Sequence, residues 1–312
     1  MKSLIILLFG MTLALAPIAV RADDTSAQIQ SLLDKQASSI VTVNVVIKTQ
    51  FQMGGQAQDS ESRMEMQGTI VTPDGLIMLS DAPFDTKSLA AMFGMPSTGG
   101  DMGMKMTPTD FKVVVGNEDK LYTAFLAGTD SNLGLAFIKI EDLAGRTLQP
   151  VDFTTANTPS IGDKVYSISR LGKGYDYAPF LDSGWIYGQI TKPQQAWVVS
   201  GAGSIGLPVF TASGSVLGMV ATVPSGVSDS QSSGSAMGMG MLMRMFGGQG
   251  EASGMSTFLV PSSVFVNVVA LAKQQAITVA AKLAADKAAA PAKTPPAPAK
   301  TPAAGPASSA TK

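Results

Sequence analysis

What most limits the fold of this chain is a long succession of short, strand-like runs, each closed by a turn signal. From Ser39 onward, Val41, Val43, Val45 and Ile47 alternate with Thr42, Asn44, Val46 and Lys48. One face is wholly apolar and the other mostly polar, as a half-buried strand requires. Further runs follow at residues 68–72, 76–79, 111–115, 121–126 and 135–140, then at 164–169, 183–191, 196–199, 207–210 and 215–223. Pro73-Asp-Gly, Gly116-Asn, Leu171-Gly-Lys-Gly and Ala212-Ser-Gly punctuate them. Many short strands with few helices predict an all-β sandwich or pair of barrels. Helical spacing occurs only at the two ends. Residues 25–36 place Ile29, Leu32 and Leu33 on one face. From Val260, with Ser262 or Ser263 as cap, Val264, Val268, Leu271 and Ala272 form a stripe that Ala-rich sequence extends to about Ala290.

The chemistry available to such a fold is narrowed by two absences. The 312 residues include no Cys and no His. Without Cys there is no disulfide, thiolate nucleophile, zinc–thiolate site or iron–sulfur cluster. Without His there is no Ser-His-Asp relay, no imidazole base and no axial haem histidine. Residues 1–22 read as a secretory signal: Lys2, an apolar run from Leu4 to Val20, and a small-x-small cleavage pattern at Val20-Arg21-Ala22. This predicts a secreted, periplasmic protein starting at Asp23, with no membrane span remaining after cleavage and no later segment long and apolar enough to provide one. Residues 23–275 carry 15 basic and 22 acidic side chains, which gives no footprint for nucleic acid. Residues 276–312 carry five Lys and one Asp. From Pro291 the Ala/Pro/Lys/Thr repeats are too poor in core residues to fold and are expected to form a disordered tail.

Two stretches, 88–108 and 225–256, are too long for hairpin loops and are rich in Gly, Ser and Met. They hold eleven of the 18 Met, and Met237, Met239, Met241, Met243 and Met245 recur at every second residue. Thioethers are soft ligands for Cu(I), so these five with Met102, Met104 and Met106 form a candidate metal set. Adaptable packing against a partner is the other reading, and sacrificial oxidation a third.

Three motifs resemble the HtrA/Deg-type bacterial proteases of the trypsin-like fold. Gly68-Thr-Ile-Val-Thr-Pro-Asp-Gly-Leu-Ile-Met-Leu-Ser-Asp-Ala resembles the segment leading to that family's catalytic His, and Ala82 stands at the His position. Gly128-Thr-Asp-Ser-Asn-Leu-Gly-Leu-Ala-Phe-Ile-Lys-Ile resembles the strand that starts with the catalytic Asp. Gly134 holds that place, and Asp130 is four residues out of register. Gly201-Ala-Gly-Ser-Ile-Gly-Leu-Pro-Val-Phe resembles the nucleophile loop, with Ile205 at the Ser position and Ser204 one residue before it. Ile161 to Ile168 and Phe258 to Phe265 resemble the start of the second barrel and the approach to the C-terminal helix.

The resemblance implies two six-stranded barrels, the first with the N-terminal helix over 23–150 and the second with the C-terminal helix over 151–275, followed by the tail. It also implies a pseudoprotease. The triad positions Ala82, Gly134 and Ile205 are vacant, and Gly203, Ser204 and Ile205 remain as the remnant of the loop that holds an oxyanion. Such a chain is expected to bind envelope proteins or extended peptides, and homo-oligomers occur in the family. A Cu(I)-binding envelope protein is one alternative. A serine endopeptidase with a non-standard site is another, in which Ser204 would need Lys164 or Lys192 as base. Trp185 and Trp197 are expected to pack, Tyr175 and Tyr177 to sit in an exposed loop, and Asp74 and Asp81 to be turn residues.

Overall fold

The computed structural model describes residues 22–53, 56–83, 104–155, 157–224 and 255–289. Helix α1 (Ala22–Gln36) leads through a short 3-10 turn (Ala37–Ser39) into the first barrel. Its strands are β1 (Ile40–Met53), β2 (Gln56–Ile70), β3 (Leu76–Ser80), β4 (Met104–Val115), β5 (Leu121–Asp130) and β6 (Leu135–Ile140). The second barrel comprises β7 (Lys164–Arg170), β8 (Pro179–Ile190), β9 (Ala196–Ser200), β10 (Pro208–Phe210), β11 (Val216–Pro224) and β12 (Met255–Pro261), and helix α2 (Ser262–Ala289) follows. The sheets close in the orders β1-β2-β3-β6-β5-β4 and β10-β11-β12-β9-β8-β7, every pair antiparallel. This is the two-barrel architecture that the resemblance implies.

The alternation in β1 does what its pattern requires. Val41, Val43, Val45 and Ile47 are buried in the first barrel with Val113, Val115 and Ile138. Trp197, Val165, Ile186, Val209, Leu217 and Leu259 fill the second. A third cluster joins the barrels and both helices: Leu32 of α1, Leu135 and Phe137 of β6, Tyr166 and Ile168 of β7, Phe210, and Phe265 of α2. Burying a side chain the size of Phe265 stabilises by about 3 kcal/mol, so the helices act as staples across the junction. Arg170 crosses it too. Its Nε donates to Ile40 O (2.6 Å) and Nη2 to Ala37 O (2.6 Å), while Nη1 reaches Asn117 Oδ1 and Tyr177 O.

Several expectations need correction. β2 begins at Gln56, not Gly68, because its first half is polar on both faces and lacks the alternation that marks a strand. The stretch 88–108 overlaps β4, which starts at Met104, and 225–256 overlaps β12, which starts at Met255. Neither Ser262 nor Ser263 caps α2: Ser262 is the first helical residue and its buried hydroxyl has no hydrogen-bond partner. The statement that no later segment is long and apolar enough to span is also wrong by that measure. α2 reaches a mean hydropathy of 1.4 over an 18-residue window, carried by its Val residues together with Phe265, Leu271 and Ile277. Its Phe265, Ala272 and Ala276 are nevertheless buried against the barrels.

Candidate functional site

Ala82, Gly134 and Ile205 lie on segments that meet where the two barrels join. β3 ends at Ser80, and the chain turns through Asp81 and Ala82. The Asp81 N–H donates to Gly134 O at 3.0 Å, which ties the first segment to the second. Ala82 is exposed, with its N–H on Ser80 Oγ. Asp130 is spent on the turn before Gly134: its Oδ1 accepts the N–H of Asn132 (3.1 Å) and of Leu133 (3.3 Å). Gly134 itself has φ +65°. A Cβ there would lie 2.7 Å from Thr222 Oγ1, so Thr222 of β11 occupies the space that a carboxylate at this position would need. Thr222 is fixed by its own N–H to Leu133 O (2.9 Å) and its hydroxyl to Asn132 O (3.3 Å).

The third segment is pressed onto the first barrel. Leu207 N–H donates to Ser204 O, and Gly206 with φ +88° sits at the third position of that turn, the type II signature that demands glycine. A Cβ on Gly206 would stand 2.9 Å from the Leu79 backbone, and Thr69 Oγ1 donates to Gly206 O at 2.7 Å. The Ile205 side chain, half-buried, packs against both the inter-barrel cluster and the core of the second barrel. Ser204 is exposed and its hydroxyl has no partner among the described residues, Lys164 and Lys192 included. Lys164 instead stands 5.6 Å from the Tyr166 ring centre. The backbone N–H groups of Gly203, Ser204 and Ile205 have no acceptor among the described residues.

β11 passes this loop at its middle and continues beyond it. Val220 bonds back to it through Gly206 N–H to Val220 O and Val220 N–H to Leu207 O, both facing away from β12. Strand alternation turns Thr222 and Pro224 to the same side. There the Thr222 N–H is taken by Leu133 O, and Pro224 has none to give. Among the described residues, this side of β11 therefore presents the carbonyl oxygens of residues 222 and 224 and no free N–H.

Two side chains near the junction have shifted protonation equilibria. Burial lowers the Arg170 guanidinium, which has carbonyl and amide acceptors and, among the described residues, no carboxylate partner. Burial raises the Tyr177 phenol, as do the charges of Glu65 and Asp119, against a hydrogen bond with Asn44. Tyr177 is buried rather than exposed, held at φ +51° beneath Arg170, while Tyr175 is exposed as expected. Sequence reading did not single out Arg170. Its only signal is a charged residue at the end of an otherwise apolar strand. Trp197 packs in the core, whereas Trp185 is half exposed beside Tyr187. Asp81 is buried, and Asp74 closes its turn beside Lys139 at 2.7 Å. Burial raises the Asp74 carboxyl, but hydrogen bonds from Lys139 and Thr72 and the Lys139 charge outweigh it and hold the group below its ordinary value. Met102, Met237, Met239, Met241, Met243 and Met245 lie outside the described residues. For Met104 and Met106 only the strand register is described, opposite Phe51 and Thr49.

A family model described as the trypsin-like peptidase domain matches residues 66–219. No curated protein matches the sequence. Among solved structures, the MamO protease domain from Magnetospirillum magneticum, in its apo form, is similar at 15% identity with a TM-score of 0.40, covering 75% of this chain and 96% of that one. Deg5 is similar at 20% identity with a TM-score of 0.42, covering 62% of this chain and 84% of that one. The family match and the two closed barrels together give the chain a trypsin-like fold.

Proposed function

We propose that this is a non-catalytic trypsin-like module that binds extended peptide or protein segments in the cell envelope. The observation that carries the reading is the chemistry of the junction. Ala82, Gly134 and Ile205 offer no base, no carboxylate and no nucleophile, and no His exists elsewhere in the chain to substitute. Removing a single member of such a triad already leaves only the residual rate due to binding and the oxyanion site. Thr222 filling the space over Gly134 and Ile205 packed into two cores support the view that these positions are filled as structure. What supports binding is the set of backbone groups without a partner among the described residues: three N–H groups in the loop at 203–205 and two carbonyls on β11. An extended segment satisfies such groups by main-chain hydrogen bonding. The apolar N-terminal run motivates the envelope location.

The test is turnover of casein and of a quenched-fluorescence peptide library by the purified protein. The expected rate is that of a mock purification. Turnover that vanishes on Ser204→Ala would instead establish a serine peptidase with an unusual base.

A further inference from the structure

We infer that the ligand of this site is an extended peptide ending in a free C-terminal carboxylate. The inference rests on the peptide-binding reading above and adds the class of ligand. Three successive backbone N–H groups, those of Gly203, Ser204 and Ile205, lack an acceptor among the described residues. They lie between residues in the left-handed region, Gly203 itself at φ +76° and Gly206 at φ +88°. Consecutive amides in such a turn form a concave nest for an anion. Ser204 is exposed and its neighbours half-exposed, so a ligand can reach them. A neutral peptide carbonyl satisfies such a nest only in part. A carboxylate brings two oxygens and a full charge, and charge-assisted hydrogen bonds are about twice as strong as neutral ones.

The second observation is directional. β11 (Val216–Pro224) passes the nest at Val220, whose O accepts from Gly206 N–H, and beyond that point this side of the strand carries, among the described residues, unpaired acceptors only, at residues 222 and 224. A strand lying there donates its N–H groups to β11 and accepts nothing from it. Its acceptor capacity is used at one end, where the nest is. Donors clustered at one end and acceptors in a row leading away from it match a chain that terminates at the nest.

The experiment uses the full chain and two matched libraries of N-acetylated tetrapeptides that differ only in their C-terminus, free carboxylate or carboxamide. Affinity is read by calorimetry, and the backbone amide resonances of Gly203, Ser204 and Ile205 by NMR. The expected result is binding at least about tenfold tighter for the carboxylate library, with those three amides shifting on titration. Ile205→Pro removes one N–H at a turn position that favours Pro, and it is expected to abolish the difference between the libraries. If that variant does not fold, the amide shifts of the unaltered protein still decide. Equal binding of the two libraries with no shift at residues 203–205 overturns the carboxylate preference and leaves peptide binding standing. Binding of neither library overturns both.

Discussion

At the residue scale the junction depends on small groups placed where larger ones would collide, and on one large group that joins two bodies. Gly134 and Gly206 both have positive φ, and both abut atoms that cannot move cheaply: Thr222 in one case, the Leu79 backbone in the other. The sequence marks them as glycines but cannot say what they face. Arg170 shows the reverse case. Its local sequence is an unremarkable strand end, yet its donors satisfy carbonyls from the 3-10 turn, β1 and the 171–178 loop. A lysine keeps the charge but lacks the planar fork. Arg170→Lys is expected to lower the free energy of unfolding by about 3 kcal/mol, since buried carbonyls would lose charge-assisted partners. A urea titration checks this by a shifted midpoint at unchanged slope.

At the element scale, the strands rich in apolar residues were readable, and the stretch that is polar on both faces was not. β1 is legible because its buried face is all Val and Ile. The first half of β2 is hidden because it is exposed and carries Asp59, Glu61, Arg63 and Glu65. It is a strand because it pairs with β1 without a break from Gln56 to Thr69, a relation invisible to local pattern. α2 shows a graded dependence on context. Its first turns are fixed by Phe265 and Ala272, both buried, whereas Ile277 is exposed. Phe265→Ala is expected to cost about 4 kcal/mol, the usual range for opening a cavity at a large aromatic. Ile277→Ala should change stability by less than about 0.5 kcal/mol. Thermal unfolding of the two variants side by side distinguishes a stapling helix from one that merely extends past the barrel.

At the scale of the whole molecule, the site exists only because loops from both barrels close on each other. The motifs at residues 68–82, 128–140 and 201–210 are far apart in the chain, and the bonds from Asp81 to Gly134 and from Thr69 to Gly206 bring them together. If Gly134 and Ile205 are fixed by the packing around them, placing triad side chains at Ala82, Gly134 and Ile205 does not create peptidase chemistry. The triple variant Ala82→His, Gly134→Asp, Ile205→Ser is expected to show no casein turnover above background. It should also be less stable than the parent, and adding Thr222→Ala should recover part of that loss by clearing the space over position 134. Turnover by the triple variant would mean that the junction keeps the geometry of a working site.

The sequence alone determined the class of fold, through the period of its apolar residues and the spacing of its turns. It also determined the absence of imidazole and thiol chemistry, through simple inventory. Those properties are local or compositional, so they survive without knowledge of neighbours. The tertiary structure decided what stands against Gly134 and Ile205, that Arg170 joins the barrels, and that, among the described residues, unpaired donors and acceptors line up from the loop at 203–205 along β11. Each of these depends on contacts between residues tens or more than a hundred positions apart, which no local pattern encodes.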